Sequence, residues 1–281
     1  MKPFFPVIPV LLLAFVPVAA QGQEASAFQV GDWSPAFVGV DMVRAQRQAP
    51  EGPEAIVAIR VDLQADGIEF VATPDNGDAP LETQGETGPQ FLKRHEVQLA
   101  LNTAFFSPCC TYFGSEPKDL IGYAVSEGKK LSDWSAAKPV AFAISRDRKV
   151  SFLRSDPGAV GDTWLACAGM ELLKDGKPAT EPNDNRHPRT AVGLSQDGRF
   201  LYFLIVDGRQ PKHSVGTSLH DTARWLIALG AHEGINLDGG GSTILVIESR
   251  GLGGTKILNR PSAGLPRVNG AHLGLIAKPL R

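Results

Sequence analysis

The sequence predicts an α+β fold: a mixed, largely antiparallel β-sheet built from hairpins, with a few packed helices. Three observations carry that expectation. β-rich runs come in pairs around short polar turns, one segment shows a helical repeat with a cap at each end, and no solenoid-length period repeats along the chain.

Taken in order, the first element is a leader. Lys2 supplies a positive charge, Phe4 to Val18 is apolar apart from prolines, and Val18-Ala19-Ala20 ends the stretch with small residues. This is the pattern of a secretory signal peptide over residues 1–20. Pro6, Pro9 and Pro17 argue against a spanning helix, which needs about 20 apolar residues. The mature chain is expected to be exported, periplasmic or secreted, with no membrane span after signal removal. Residues 21–54 read as a lead-in with an early strand near Phe37–Val43, and 55–281 as the main domain.

Within that domain, Ile56–Val61 and Ile68–Thr73 flank Asp66-Gly67, a hairpin signal. Thr83–His95 holds a short helix limited by Pro89, and Val97–Leu101 is a buried strand ending at Asn102. Val140–Ile144 and Val150–Leu153 form a second hairpin, Thr190–Leu194 and Arg199–Val206 a third, with a polar surface loop over 174–189 between them. A helix starts at Ser218, with Asp221 three residues on as in a capping box. Leu219, Ala223, Leu226 and Leu229 share its inner face, and Gly230 closes it. Strands at Ile235–Leu237 and Ile244–Glu248 bracket Asp238-Gly239-Gly240-Gly241-Ser242-Thr243.

Composition narrows the function. With 43% hydrophobic and 21% charged residues the chain is globular, and a net charge of −2 without a basic stripe excludes nucleic acid as a partner. Cys109, Cys110 and Cys167 are an odd set for an exported protein. One of the adjacent pair bridging to Cys167 is the expected arrangement, leaving one free thiol. No His-x3-His, G-x-S-x-G or Walker A pattern occurs.

Two carboxylates remain as candidates for chemistry. Asp207 and Asp238 each close an apolar strand and precede glycine, which holds the acid at the rim of a sheet. The amides of Gly239, Gly240 and Gly241 are suited to an anion-binding nest, with Ser242 and Thr243 as hydroxyl donors beside it. Arg189, Arg209 and Arg267 offer bidentate counter-charge. Asn102 either hydrogen-bonds sugar hydroxyls or caps a turn.

Pro188-Arg189-Thr190-Ala191-Val192-Gly193, Val206-Asp207-Gly208-Arg209-Gln210, Gly216 ahead of a helix, and Asn236-Leu237-Asp238-Gly239-Gly240-Gly241-Ser242-Thr243 together resemble the phosphodiester glycosidases. These are relatives of the animal uncovering enzyme, with bacterial members associated with exopolysaccharide. The motifs are in register over 187–246. The likeness continues through Asn102-Thr103-Ala104-Phe105-Phe106, Asn259-Arg260-Pro261-Ser262 and Pro266-Arg267. Thr103 and Ala104 stand where the family has two glycines, and Asp221-Thr222 where it has Glu followed by Leu or Met.

The resemblance implies hydrolysis of a sugar–O–phosphodiester at the anomeric carbon, on a glycan or exopolysaccharide-related substrate. Asp238, Asp207 and Arg189 would be catalytic. Asn102, Thr190, Arg209, Gly239–Gly241, Ser242, Thr243 and Arg267 would bind substrate. The sequence shows no required cofactor, although the aspartates and Asn236 could hold a divalent cation through oxygen. Two rivals follow: a metal-dependent phosphodiesterase cleaving P–O, and a carbohydrate-binding protein without turnover.

Overall fold

The computed structural model describes Met1, residues 27–249 and residues 254–280, so all but the first residue of the expected signal peptide lies outside the described residues. The architecture is dominated by sheet, with two α-helices among the described residues. The largest sheet runs, edge to edge, through Ser34–Phe37, Val40–Ala49, Gly52–Asp62, Phe200–Val206, Arg189–Leu194, Glu233–Asn236, Thr163–Lys174, Val140–Ser145 and Val150–Leu153. A five-stranded sheet follows the order Gly254–Ile257, Leu245–Ser249, Leu99–Asn102, His272–Ile276 and Glu69–Ala72. The strand pairs described are antiparallel throughout, so the expected mixed sheet is corrected to an antiparallel one.

The core lies between these two sheets. Ile59, Val192, Phe203 and Ile205 from the large sheet meet Leu99, Leu101 and Leu273 from the smaller one, all buried. Side chains alternate across a strand, so Tyr202, Leu204 and Val206 point the other way, onto Trp225 and Leu226 of the helix Leu219–Leu229. Burial on both faces explains why Phe200–Val206 is a continuous apolar run rather than an alternating one.

Both helices are capped as their sequences suggest. In Gly88–Arg94, Thr87 and Gln90 complete a capping box, and Pro89 sits in the first turn, where its missing N–H costs nothing. In Leu219–Leu229, Ser218 accepts from the Asp221 amide, and Gly230 is left-handed at φ 107°. Asp221 does not complete a reciprocal box. Its carboxylate goes to Arg47 and Arg186, each at 3.0 Å.

Other expectations are corrected. Gly52–Asp62 and Glu69–Ala72 do not pair with each other. The first belongs to the large sheet and the second pairs with His272–Ile276, so Asp66-Gly67 turns the chain from one sheet to the other. The boundary between residues 54 and 55 falls inside the strand Gly52–Asp62, and the lead-in adds two strands to the same sheet. Cys109 bonds to Cys110, while Cys167 is a free, buried thiol. The reason is placement: Cys167 faces the core between the sheets, and the adjacent pair lies in an exposed loop.

Candidate active site

Three strand ends bring the candidate residues to one rim. Arg189 stands opposite Val206 in register, and the Leu237 amide donates to the Thr190 carbonyl, so Asp207, Arg189 and Asp238 all emerge at the same edge of the large sheet. The turn after Asp238 folds back onto this edge, with the Gly240 amide donating to the Pro188 carbonyl at 2.9 Å.

The glycines are needed for contact. Gly240 has φ +61°, a left-handed conformation. A Cβ on Gly241 would stand 2.0 Å from Arg267 Nη2, and one on Gly240 would stand 3.1 Å from Arg209 Nη2. Two guanidinium groups therefore rest on consecutive glycines, closer than any other residue type would allow. The expected amide nest is reduced, because Gly239 N–H donates to Asp238 Oδ1 at 2.9 Å and Gly240 N–H is held by Pro188.

Asp238 itself is partly exposed. Burial pushes its carboxyl up to about 6, against the pull of the Ser242 hydroxyl, the Gly239 amide, Arg267 and Lys138. Lys138 lies 3.6 Å from the centroid of the Phe105 ring, and its ammonium is lowered by desolvation. Arg267 donates to Ser242 Oγ at 3.3 Å and faces the ring of Tyr112 at 5.8 Å.

Asp207 has the same local sequence and a different environment. It is 7% exposed. Its Oδ1 accepts from the Arg260 amide at 2.8 Å and from Asn259 Nδ2 at 3.2 Å, and its Oδ2 accepts from His213 Nε2 at 2.8 Å. Both oxygens are thus occupied, Oδ1 in anchoring the 259–260 segment and Oδ2 by His213. Asp207, expected as a catalytic residue, is here held by His213, Asn259 and the Arg260 amide.

Several expected substrate contacts are likewise turned inward. Asn102 is 1% exposed. Its Nδ2 donates to the Asp238 carbonyl at 2.6 Å, while its Oδ1 accepts from Thr190 Oγ1 at 2.7 Å and the Ile244 amide at 3.1 Å. Asn102 and Thr190 therefore fix the position of Asp238 from beneath instead of reading sugar hydroxyls. Ser242 and Thr243 are buried too. Arg189 is buried and donates to the carbonyls of Thr217 and Asn185, and desolvation lowers it to about 10 with help from Arg209. Arg209 and Arg267 keep exposure, Arg209 the more.

Lys138, Phe105, Tyr112 and His187, which lies 3.3 Å from Arg209, are residues that sequence reasoning did not assign to the site. Phe105 was within reach, since it belongs to the segment after Asn102. Lys138 carried no signal, being one of 28 lysines and arginines. The Asp-for-Glu change at 221 has a structural account, because Arg47 and Arg186 take its carboxylate.

A sequence model of the phosphodiester glycosidases (NAGPA) matches residues 95–275, more than half of the chain. The chain belongs to that family. Among solved structures, this glycosidase-family chain is similar to the catalytic domain of zebrafish N-acetylglucosamine-1-phosphodiester alpha-N-acetylglucosaminidase, auto-inhibited by its pro-peptide. The TM-score is 0.65 at 20% identity, covering 91% of this chain and 88% of that one. A hypothetical protein from Synechocystis gives 0.63 at 15% identity over 85% of this chain, which spans 62% of that protein's length. A Burkholderia pseudomallei protein gives 0.59 at 18%, covering 80% of this chain and 74% of that one. At these identities the structural likeness speaks to the fold. No curated protein sequence matches.

For a metal, the sequence points to the aspartates and Asn236. Asn236 is buried and its Nδ2 donates to the Leu237 carbonyl. Among the described residues, Asp175, His232 and Glu233 form a group with ligand atoms close together, at the opposite end of the strand that leads to Asp238. The Glu233 carboxylate there already holds Arg154 and the Asp175 amide.

Proposed function

We propose that the chain is an exported hydrolase that releases a sugar from a sugar-1-phosphodiester by attack at the anomeric carbon. The observation that carries this reading is Asp238. It is a partly exposed carboxylate on the glycine turn, raised to about 6 by burial and flanked by Arg267 and Lys138. A carboxylate with its pKa near neutrality can act as base or as electrostatic partner to an oxocarbenium-like centre. Arg267 and Lys138 supply the positive charge that a departing phosphate requires. A phosphate monoester leaves readily, so the site's main task is to stabilise charge.

In this reading Asp238 works ionised, above about pH 6. Asn102 and Thr190 are positioning residues that act through the Asp238 backbone. The glycan or exopolysaccharide setting and export belong to the proposal, supported by the leader-like first 20 residues and the family.

Turnover in isotopically labelled water tests it, with a panel of sugar-1-phosphodiesters. Label in the released sugar is expected. Label in the phosphate would transfer the chain to the P–O-cleaving phosphodiesterases, and binding without product would make it a lectin-like protein.

A further inference from the structure

The site carries more positive charge than one diester can answer. Lys138, Arg189, Arg209 and Arg267 all lie around the glycine turn, and none of the four makes an ion pair among the described residues. Elsewhere the same chain pairs its buried arginines closely. Arg47 and Arg186 share Glu54, which is itself fully buried. The acids at the rim do not close the balance. Asp207 has both oxygens bonded to His213, Asn259 and the Arg260 amide, and even with both acids counted, four cations face two carboxylates. A phosphodiester brings a single negative charge.

The cations also fall into two groups. Arg267 and Lys138 act on Asp238, and the aromatic rings Tyr112 and Phe105 lie against them, a surface suited to the apolar face of a sugar. On the other side of the turn, Arg209 rests on Gly240 and reaches His187, with Arg189 buried behind. Burial lowers His187, and Arg189 and Arg209 add to this, so the two guanidinium groups are the fixed charges on that side.

We propose that the substrate is polyanionic: beyond the diester, its aglycone presents a second anionic group, a phosphate or a carboxylate, which Arg209 binds with Arg189 supporting from behind. This rests on the glycosidase reading, because it is Asp238 that places the sugar on the aromatic side and the aglycone on the other. A buried, unpaired guanidinium is costly to keep. A ligand that answers its charge offsets that cost in the bound state.

The test uses three diesters of one sugar-1-phosphate, beginning with N-acetylglucosamine: the methyl diester, the glycolate diester and the diester of ethylene glycol monophosphate. Their affinities for the Asp238→Asn protein, which binds without turnover, are measured by titration calorimetry. One or both ligands with the added anionic group should bind roughly tenfold or more tightly than the methyl diester, as expected for a charge-assisted contact. Whichever of the two shows the gain identifies carboxylate or phosphate. Adding Arg209→Gln should bring the ratio to near one.

Equal binding of all three overturns the inference while the glycosidase reading stands, provided the wild-type protein cleaves the methyl diester. An Arg209→Gln change that weakens all three alike overturns it too, by placing Arg209 on the diester itself. A sugar panel in which nothing is cleaved or bound overturns both readings.

Discussion

Asp207 and Asp238 close the strands on either side of Arg189–Leu194, each precedes glycine, and each reaches the same rim of the sheet, yet the fold treats them in opposite ways. Asp207 is sunk at the rim with both oxygens bonded to His213, Asn259 and the Arg260 amide. Asp238 is held from below by its backbone, through Asn102 and the Thr103 carbonyl, and its carboxylate, bonded locally by the Gly239 amide and the Ser242 hydroxyl, is partly exposed and faces two cations. A carboxylate whose side chain is fully bonded contributes to stability. One positioned through its main chain is free for chemistry. The difference lies in the partners: His213 stands six residues on from Asp207, while Asn102 and Asn259 come from far along the chain.

The largest expected effect separates the two acids by activity. Asp238→Asn should lower kcat by roughly 10³-fold or more, in line with the loss of a charge that stabilises the transition state. Its circular dichroism and denaturant midpoint should show an intact fold. Turnover within tenfold of wild type would remove Asp238 from the reacting centre.

Stability should separate them in the other direction. Asp207→Ala leaves His213, Asn259 Nδ2 and the Arg260 amide without their acceptor, at a cost of about 2–4 kcal/mol by denaturant unfolding. Asp238→Asn should do the reverse at alkaline pH. The folded protein holds the Asp238 proton up to about pH 6, whereas the unfolded chain releases it near the usual carboxylate value of about 3.9. Between those values the folded state binds more protons, so Asp238 lowers stability as pH rises through the window, and the loss persists above it. Asparagine escapes that loss. The variant should be more stable than wild type by roughly 1–3 kcal/mol at pH 8, with the difference closing toward pH 4. Equal stability at both pH values would show that burial does not disfavour this carboxylate.

Much of this was legible in the residues. The hairpins at 140–153 and 190–206, both helices and their caps follow from local periodicity and turn chemistry. The strand-end position of both aspartates was legible for the same reason. What sequence could not separate is which acid is occupied, because Asn259 and His213 become partners of Asp207 only through tertiary contact. The Asp66-Gly67 turn shows the same limit, since a turn signal fixes a change of direction but not whether the chain returns to the same sheet. Asn102 left two readings open, and burial decided for the structural one. Lys138 was invisible for a different reason. It lies between strands in a segment with no motif, and only packing on Phe105 brings it toward Asp238.

The smallest effect is the one that tests how the two cations act on Asp238. Both hold its carboxyl below the value that burial alone would set, Arg267 more strongly than Lys138. Removing either charge should raise that carboxyl further and move the acid limb of kcat/KM to higher pH, with Arg267→Met shifting it more than Lys138→Met. At pH 8 the Lys138 variant should lose roughly tenfold or less, because Arg267 still faces the phosphate. A limb that stays near pH 6 in both variants would mean that another group titrates there. The ranking of the two shifts therefore matters more than their size. A carboxylate on which Arg267 acts more strongly than Lys138 produces it, as Asp238 does.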